Sequence, residues 1–362
     1  MLSQFNFENP GVVKAVLNQI KTIKLDYGIN IMEVCGTHTH AIARYGIASL
    51  LPEKINLVSG PGCPVCVTPK IFIDQALELA EIPDTIITTF GDLYRVPGSF
   101  SSLQEAGSRG SKIKIVYSPT QALETARNNP DKKVIFLGVG FETTVPTVAI
   151  PILQAQEERI DNFFVLPGFK TLPNALTALA GIPGLKLNGF LAPGHLSIIT
   201  GKSIYQETAE KFGLSSVITG FKALDILLGI KTLLELIVRG EAMVVNEYRS
   251  TVRDEGNPRA REIISRVFKP VDSEWRGMGI IEKSGLDFRE EFEDFHALKQ
   301  FPVSPPPATK KSICMCGEIL TGIKKPADCP LFAKVCTPLK PVGPCMVSSE
   351  GTCSASYKYK NI

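Results

Sequence analysis

The sequence predicts an α/β protein with two similar Rossmann-like α/β domains built on parallel sheets. A third domain, formed mainly by the C-terminal region, is expected to be organised around cysteines. Three observations lead there. Short β-branched runs alternate with helical stretches from residue 28 to about residue 240. Glycine-bearing loops follow several of those runs. Nine cysteines fall into two groups at opposite ends of the chain.

Residues 1–25 read as a short helix and a linker. The strand candidates then follow in order: IMEV (31–34), INLVS (55–59), TIITTF (85–90), KIKIVY (112–117), KVIFLGV (133–139), FFVLP (163–167), NGFLA (188–192) and SVITG (216–220). Helical stretches lie between many of them, at 70–81, 120–128, 146–158, 173–180, 203–212 and 222–238. Short apolar strands alternating with helices indicate parallel sheets covered on their faces. Eight strands of one grammar fit two lobes dividing near residues 118–130, hence a first domain at 26–120 and a second at 121–240. Beyond residue 240 the pattern changes. Residues 246–300 are charged and less periodic, and PVSPPPATKK (302–311) reads as an extended Pro-rich linker. The third domain is therefore drawn from 1–25 and 241–362. The last fifty or so residues combine six cysteines with many Pro and Gly, a composition commonly organised by a metal or cluster.

Composition narrows the function. The chain has 362 residues, 44% apolar and 21% charged, a globular balance. A net charge of +3 and the lack of Lys/Arg runs argue against a nucleic-acid partner. No signal peptide and no apolar run of membrane-spanning length is read, so the expected location is the cytoplasm, with no membrane association. Clustered cysteines in such a protein point to metal or redox chemistry rather than a disulfide framework.

The early group is Cys35, Cys63 and Cys66. Cys63-Pro-Val-Cys66 follows a predicted strand, with Thr68 expected as the cap and Pro69 as the first residue of the next helix. A helix N-terminus favours a thiolate, and the spacing allows a disulfide or joint metal binding. The flanking Gly60 and Gly62 favour the redox reading over a half zinc site or two buried thiols. Cys35 lies in EVCGTHTHAIARYGI (33–47), where Thr37 is a candidate cap, so its thiol is expected to be acidified too. It reads as a nucleophile, a metal ligand or a structural residue. His38 and His40 read first as hydrogen-bond or proton groups and second as ligands. Glu142 in GVGFETTVPT (138–147) and His195 in LAPGHLSIITG (191–201) end their strands on the same predicted face, with a loop-stabilising hydrogen bond as the competing role. Asp92 and Arg95 in FGDLYRVPG are weaker candidates. Ligands bind at the carboxyl ends of strands in open α/β sheets, so these loops define the expected site.

In the late group, Cys314, Cys329, Cys336 and Cys353 are separated by 14, 6 and 16 residues, and Cys316 is an alternative first ligand. Four thiolates suit an iron–sulfur cluster or tetrahedral zinc. The lack of a Cys-x-x-Cys knuckle in this group favours a [4Fe–4S] cluster held by separate loops. Cys345 is then spare.

At these residues the chain resembles the hydrogenase maturation protein HypD family. The resemblance runs, in order, through MEVCGTHTHAIARYGI, SGPGCPVCVTP, GFETT, PGHLSIITG, CGEIL, ADCPLFAKVCTP and PVGPCMVSSEGTCSASYKY. It implies two similar α/β domains and a third carrying a [4Fe–4S] cluster. It also implies that a HypC-type chaperone shares with this chain the scaffold for the Fe(CN)2CO unit of [NiFe] hydrogenase. A HypE-type partner delivers cyanide, and the unit then passes to the hydrogenase large subunit through HypC. By the resemblance, Cys35 is the candidate ligand of the mononuclear iron that carries CN and CO, and Cys63 and Cys66 are the thiol redox couple. The cluster ligands map to Cys314, Cys329, Cys336 and Cys353, with Cys314 against Cys316 open. The arrangement is similar to ferredoxin–thioredoxin reductase, where a cluster delivers electrons to a disulfide. His38, Glu142 and His195 are expected to place protons or hydrogen bonds round the diatomic ligands. Two rival readings share these residues: a cluster-dependent thiol/disulfide reductase acting on a protein substrate, and a zinc-stabilised binding module.

Overall fold

The computed structural model describes residues 9–306 and 313–359. Positions 307–311 of the expected Pro-rich linker, and residues 1–8 of the expected N-terminal segment, lie outside the described residues.

Strand formation follows the β-branched runs closely. The strands are β1 (Ile29–Glu33), β2 (Ile55–Ser59), β3 (Thr85–Thr89), β4 (Lys112–Ile115), β5 (Lys133–Gly138), β6 (Phe163–Pro167), β7 (Phe169–Lys170), β8 (Gly189–Pro193), β9 (Ser215–Thr219), β10 (Val244–Asn246), β11 (Phe268–Trp275) and β12 (Gly279–Phe288). Proline opens several helices, including Pro10–Thr22, Pro64–Val67, Pro119–Arg127 and Pro258–Val267, where its missing N–H is no loss.

These strands build two parallel sheets, as the α/β reading requires. The first runs β10-β9-β8-β1-β2 and the second β4-β3-β5-β6, and every pair within them is parallel. The expected division of the strands near residues 118–130 does not hold. β1 pairs with β2 on one side and with β8 on the other, Ile31 facing Gly189. The second sheet is therefore an insertion between β2 and β8, and the first sheet draws strands from both halves of the chain. Continuous apolar strands look alike along the sequence, so local pattern carries no information about which sheet each one joins.

Three buried clusters hold the layers. One packs the helices Pro10–Thr22 and Ala223–Arg239 on the first sheet through residues such as Val13, Ile20, Leu227 and Leu233. A second packs Pro119–Arg127 and Val145–Glu158 on the second sheet through Leu123, Val148 and Phe136. The third takes in Cys63, Cys66 and Phe141 together with five cysteines of the tail. The tail thus packs into the same core as the loops at the strand ends.

The stretch 246–300, read as aperiodic, contains an antiparallel hairpin of β11 and β12 whose far side pairs with β7. A register irregularity between Val271 and Ser273 breaks the two-residue alternation that would have revealed it. The hairpin tip, residues 276–278, presses on the tail. Gly277 has φ 83°, and a Cβ there would strike the backbone of Gly317. Gly279, with φ 73°, has open space around it. Gly279→Ala should therefore cost only the backbone penalty of about 1–2 kcal/mol. Gly277→Ala should cost that plus about 1–3 kcal/mol of overpacking. Urea denaturation of the two variants checks the ranking, and equal losses would remove the proposed contact.

Candidate functional site

The site forms where the loops after β1, β2, β5 and β8 meet, at the carboxyl ends of strands from both sheets. Cys35 follows β1 and is the N-cap position of the helix Gly36–Arg44. The loop after β2 crosses directly over it. A Cβ on Gly62 would collide with the backbone of Cys35, and Gly36 N–H donates to Gly62 O at 3.1 Å. Only glycine lets the two cysteine loops approach this closely.

Cys63 and Cys66 are joined as a disulfide with Cα atoms 5.2 Å apart. Cys63 caps the one-turn helix Pro64–Val67, its sulfur accepting from Cys66 N–H at 3.2 Å. The cap expected at Thr68 is not made. Thr68 Oγ1 instead donates back to Pro64 O, and Pro69 is the N-cap residue of Lys70–Glu81. Thr37 likewise does not cap its own helix but donates to Glu350 Oε1 at 2.7 Å.

Burial decides the electrostatics. The expected acidification of Cys35 does not occur. Desolvation pushes its thiol up to about 12, with the Glu350 and Glu33 carboxylates adding to the rise. The N–H groups of the helix start pull the other way and lose. Burial holds His38 neutral, down at about 4, and lowers His195 as well. His38 Nε2–H donates to Gly220 O at 2.9 Å, so its buried Nδ1 keeps a free lone pair with no partner among the described residues. His195 Nδ1 lies 4.0 Å from Cys35 Sγ. The Phe221 ring packs against both imidazoles, 4.9 Å and 5.2 Å away. Glu142 accepts from Leu172 N–H through Oε1, while its buried Oε2 is unpartnered among the described residues. Burial raises this carboxyl to about 7.

His40 stands apart from this pocket. It donates from Nδ1 to Ser349 O and accepts at Nε2 from Tyr359, which fastens the terminal helix Thr352–Tyr359 to Gly36–Arg44. Asp92 and Arg95 also hold the tail. Ser348 donates to Asp92 at 3.0 Å, and Arg95 donates to Pro338 O at 3.1 Å.

The tail cysteines converge. Cys316, Cys329, Cys336, Cys345 and Cys353 are buried, and Cys314 is half-buried. The charge of Cys314 acts on Cys316, Cys336, Cys345 and Cys353, and that of Cys329 acts on Cys336, so the six form one linked group. A bond from the Cys316 thiol, chiefly, draws Cys314 down to about 6. Cys345, left spare by the spacing, accepts from the Cys353 thiol inside the same group. Among the described residues, no three Cys, His, Asp or Glu side chains are placed to hold a single metal ion. A buried all-sulfur set is the donor chemistry of iron–sulfur ligation. The short helix Pro344–Val347, which carries Cys345, packs on Pro64–Val67, which carries Cys66.

Cysteine loop, disulfide and cysteine tail thus lie together at the strand ends. The HypD family model, described as "Hydrogenase formation hypA family", matches residues 11–360. The chain belongs to the HypD family. It is 42% identical over 362 residues to a putative hydrogenase expression/formation protein of Methanocaldococcus jannaschii, covering 99% of each chain. It is 44% identical over 333 residues to the hydrogenase maturation factor HypD of Escherichia coli K12, covering 92% of this chain and 89% of that one. The HypD of Cupriavidus necator is 44% identical over 338 residues, with 91% and 89% covered.

In this HypD-family chain, two site residues escaped sequence reasoning. Tyr205 is fully buried and hydrogen-bonded to Ser197 Oγ at 3.0 Å, and the charges of Glu142 and Cys35 both act on it. Since Ser197 Oγ–H donates to Pro193 O, the Tyr205 hydroxyl is the donor to Ser197. Glu350 reaches Thr37 beside Cys35 from the far end of the chain. Neither carries a local motif signal. Two clefts flank β2. The larger pocket of about 400 Å³ runs between Ile55–Ser59 and Lys324–Pro326.

The Glu142 environment yields a signed pH dependence. Its carboxyl titrates near 4.5 unfolded and about 7 folded, so unfolding releases a proton between those values. Its contribution to stability therefore falls as pH rises through that window, by on the order of 3 kcal/mol. Urea midpoints measured from pH 4 to 8 should show Glu142→Gln flattening this slope. An identical slope in the variant contradicts the assignment.

Proposed function

We propose that this chain serves the maturation of [NiFe] hydrogenase, as a cytoplasmic scaffold and thiol-redox protein. With a HypC-type chaperone it holds the Fe(CN)2CO unit during assembly, before the unit passes to the hydrogenase large subunit. The observation that carries this reading is the meeting of Cys35, the Cys63–Cys66 disulfide and the cysteine tail at one end of both sheets. The names borne by its relatives support hydrogenase maturation as the setting.

The iron is cargo. Cys35 takes one position on it and the N-terminal cysteine of the HypC-type partner another, while a HypE-type donor brings cyanide. Cyanide and CO favour low-spin Fe(II), and a soft thiolate suits that ion. The Cys35 thiol, held protonated by burial, gives up its proton on taking the iron. His195 Nδ1, 4.0 Å away, is placed to receive it. The free Nδ1 of His38 accepts hydrogen bonds, and Glu142, poised near 7, holds or releases a proton. Opening the Cys63–Cys66 bond consumes two electrons and two protons and leaves two thiols. Cys329, Cys336, Cys353 and either Cys314 or Cys316 would hold a [4Fe–4S] cluster, which when bound would be the source of those electrons, one at a time.

The rival thiol/disulfide reductase reading is weaker here. Attack on a protein disulfide requires an accessible thiolate. Cys63 is 3% exposed and Cys66 0%. Their electrons are better suited to a small ligand in the pocket than to a docked protein.

The test is infrared spectroscopy of the chain purified anaerobically with its HypC-type partner. Cyanide and CO stretching bands are expected in the wild-type complex and absent in Cys35→Ala. Unchanged bands in the variant would show that Cys35 is not the essential ligand.

A further inference from the structure

The tip of the β11–β12 hairpin bridges the disulfide loop and the cysteine tail, and Arg276 is its first residue. The backbone N–H of Arg276 donates to Val67 O at 2.8 Å, and its Nε–H donates to Thr68 O at 2.8 Å. Both carbonyls belong to the end of the short helix that carries Cys66. On the other side, Gly277 lies against Gly317, the residue after Cys316. Arg276 Nη2 is buried and has no hydrogen-bond partner among the described residues. A buried guanidinium N–H left without an acceptor is costly, so an acceptor is expected there. The Gly277–Gly317 contact sets this guanidinium's hairpin tip one residue from Cys316, and its positive charge acts on Cys314 and on Cys316.

We infer that Arg276 is a positioning residue that ties the Cys63–Cys66 loop to the tail and donates, through Nη2, a charge-assisted hydrogen bond to the sulfur-ligated centre held there. The inference rests on reading the tail as an iron–sulfur site, and goes beyond it by naming the residue that tunes the centre. A donated hydrogen bond and a nearby positive charge both favour the more negative, reduced form. Two of the three hydrogen bonds in this account come from the guanidinium, a rigid fork. Lysine keeps the charge and loses the fork. Lys70 also acts on Cys314, so removing Arg276 leaves part of the positive field in place.

The experiment uses the full-length chain, purified and reconstituted anaerobically. Iron and acid-labile sulfide are measured first, and a redox titration followed by electron paramagnetic resonance then gives the midpoint potential. Arg276→Gln should shift the one-electron equilibrium about tenfold against the reduced form, a potential lower by about 59 mV. Arg276→Lys should recover most of that shift. Equal potentials in wild type and Arg276→Gln, at equal iron content, overturn the inference. Loss of the centre from both variants overturns it too, because the role is then only to hold the fold. Wild-type protein that takes up no iron and sulfide sinks the reading of the tail itself, and the inference with it. The iron and sulfide assay separates that failure from a failure at Arg276.

Discussion

The close passage of one cysteine loop over another is the constraint on which the rest of this structure depends. Gly62 lies on the backbone of Cys35 with no room for a side chain, and the hydrogen bond from Gly36 to Gly62 fixes the crossing. Because β1 and β2 are adjacent parallel strands, both loops leave the sheet at the same end. The insertion of a second sheet between β2 and β8 brings the loop carrying Glu142 to that end as well. The tail then closes over the assembly, pinned by Asp92, Arg95, His40 and Thr37. A site contributed by segments spread along the whole chain is thus held by backbone geometry at its centre and by polar contacts at its rim.

Desolvation gives the site its character. Cys35, His38 and Glu142 are all buried, and each is driven toward its neutral form. Glu33, beneath Cys35, is raised to about 8 for the same reason, even though Thr39 donates to it at 2.6 Å. Such a cluster of buried, neutral side chains carries few charges of its own. On the proposed function, a metal cation bound beside Cys35 would change that balance, because a thiol next to it can ionise without leaving an isolated buried charge.

Much of the fold was legible because parallel strands are written as continuous apolar runs. All eight strand candidates form strands within two residues of their expected limits, and the helix expected at 70–81 spans Lys70–Glu81. The four loops at the strand ends were legible for the same reason. Pairing was not, since the partner of Ile31 is Gly189 and nothing local links them. The β11–β12 hairpin was hidden by its irregular register, and with it Arg276. The acidity expected of Cys35 followed from its helix start alone. The burial that reverses it comes from distant elements, and the charge of the Glu350 carboxylate adds to the rise. Tyr205 was missed because a lone tyrosine in a helical stretch carries no signal until its neighbours are known.

The central claim is that the early cysteines and the cysteine tail share one metal-bearing place. Crystals grown anaerobically, with diffraction recorded on both sides of the iron absorption edge, test it most directly. The account expects an anomalous iron peak enclosed by the sulfurs of the tail, on the side that faces Cys66 and Arg276. No iron peak among those sulfurs, or a peak on a face remote from Cys66, would contradict it.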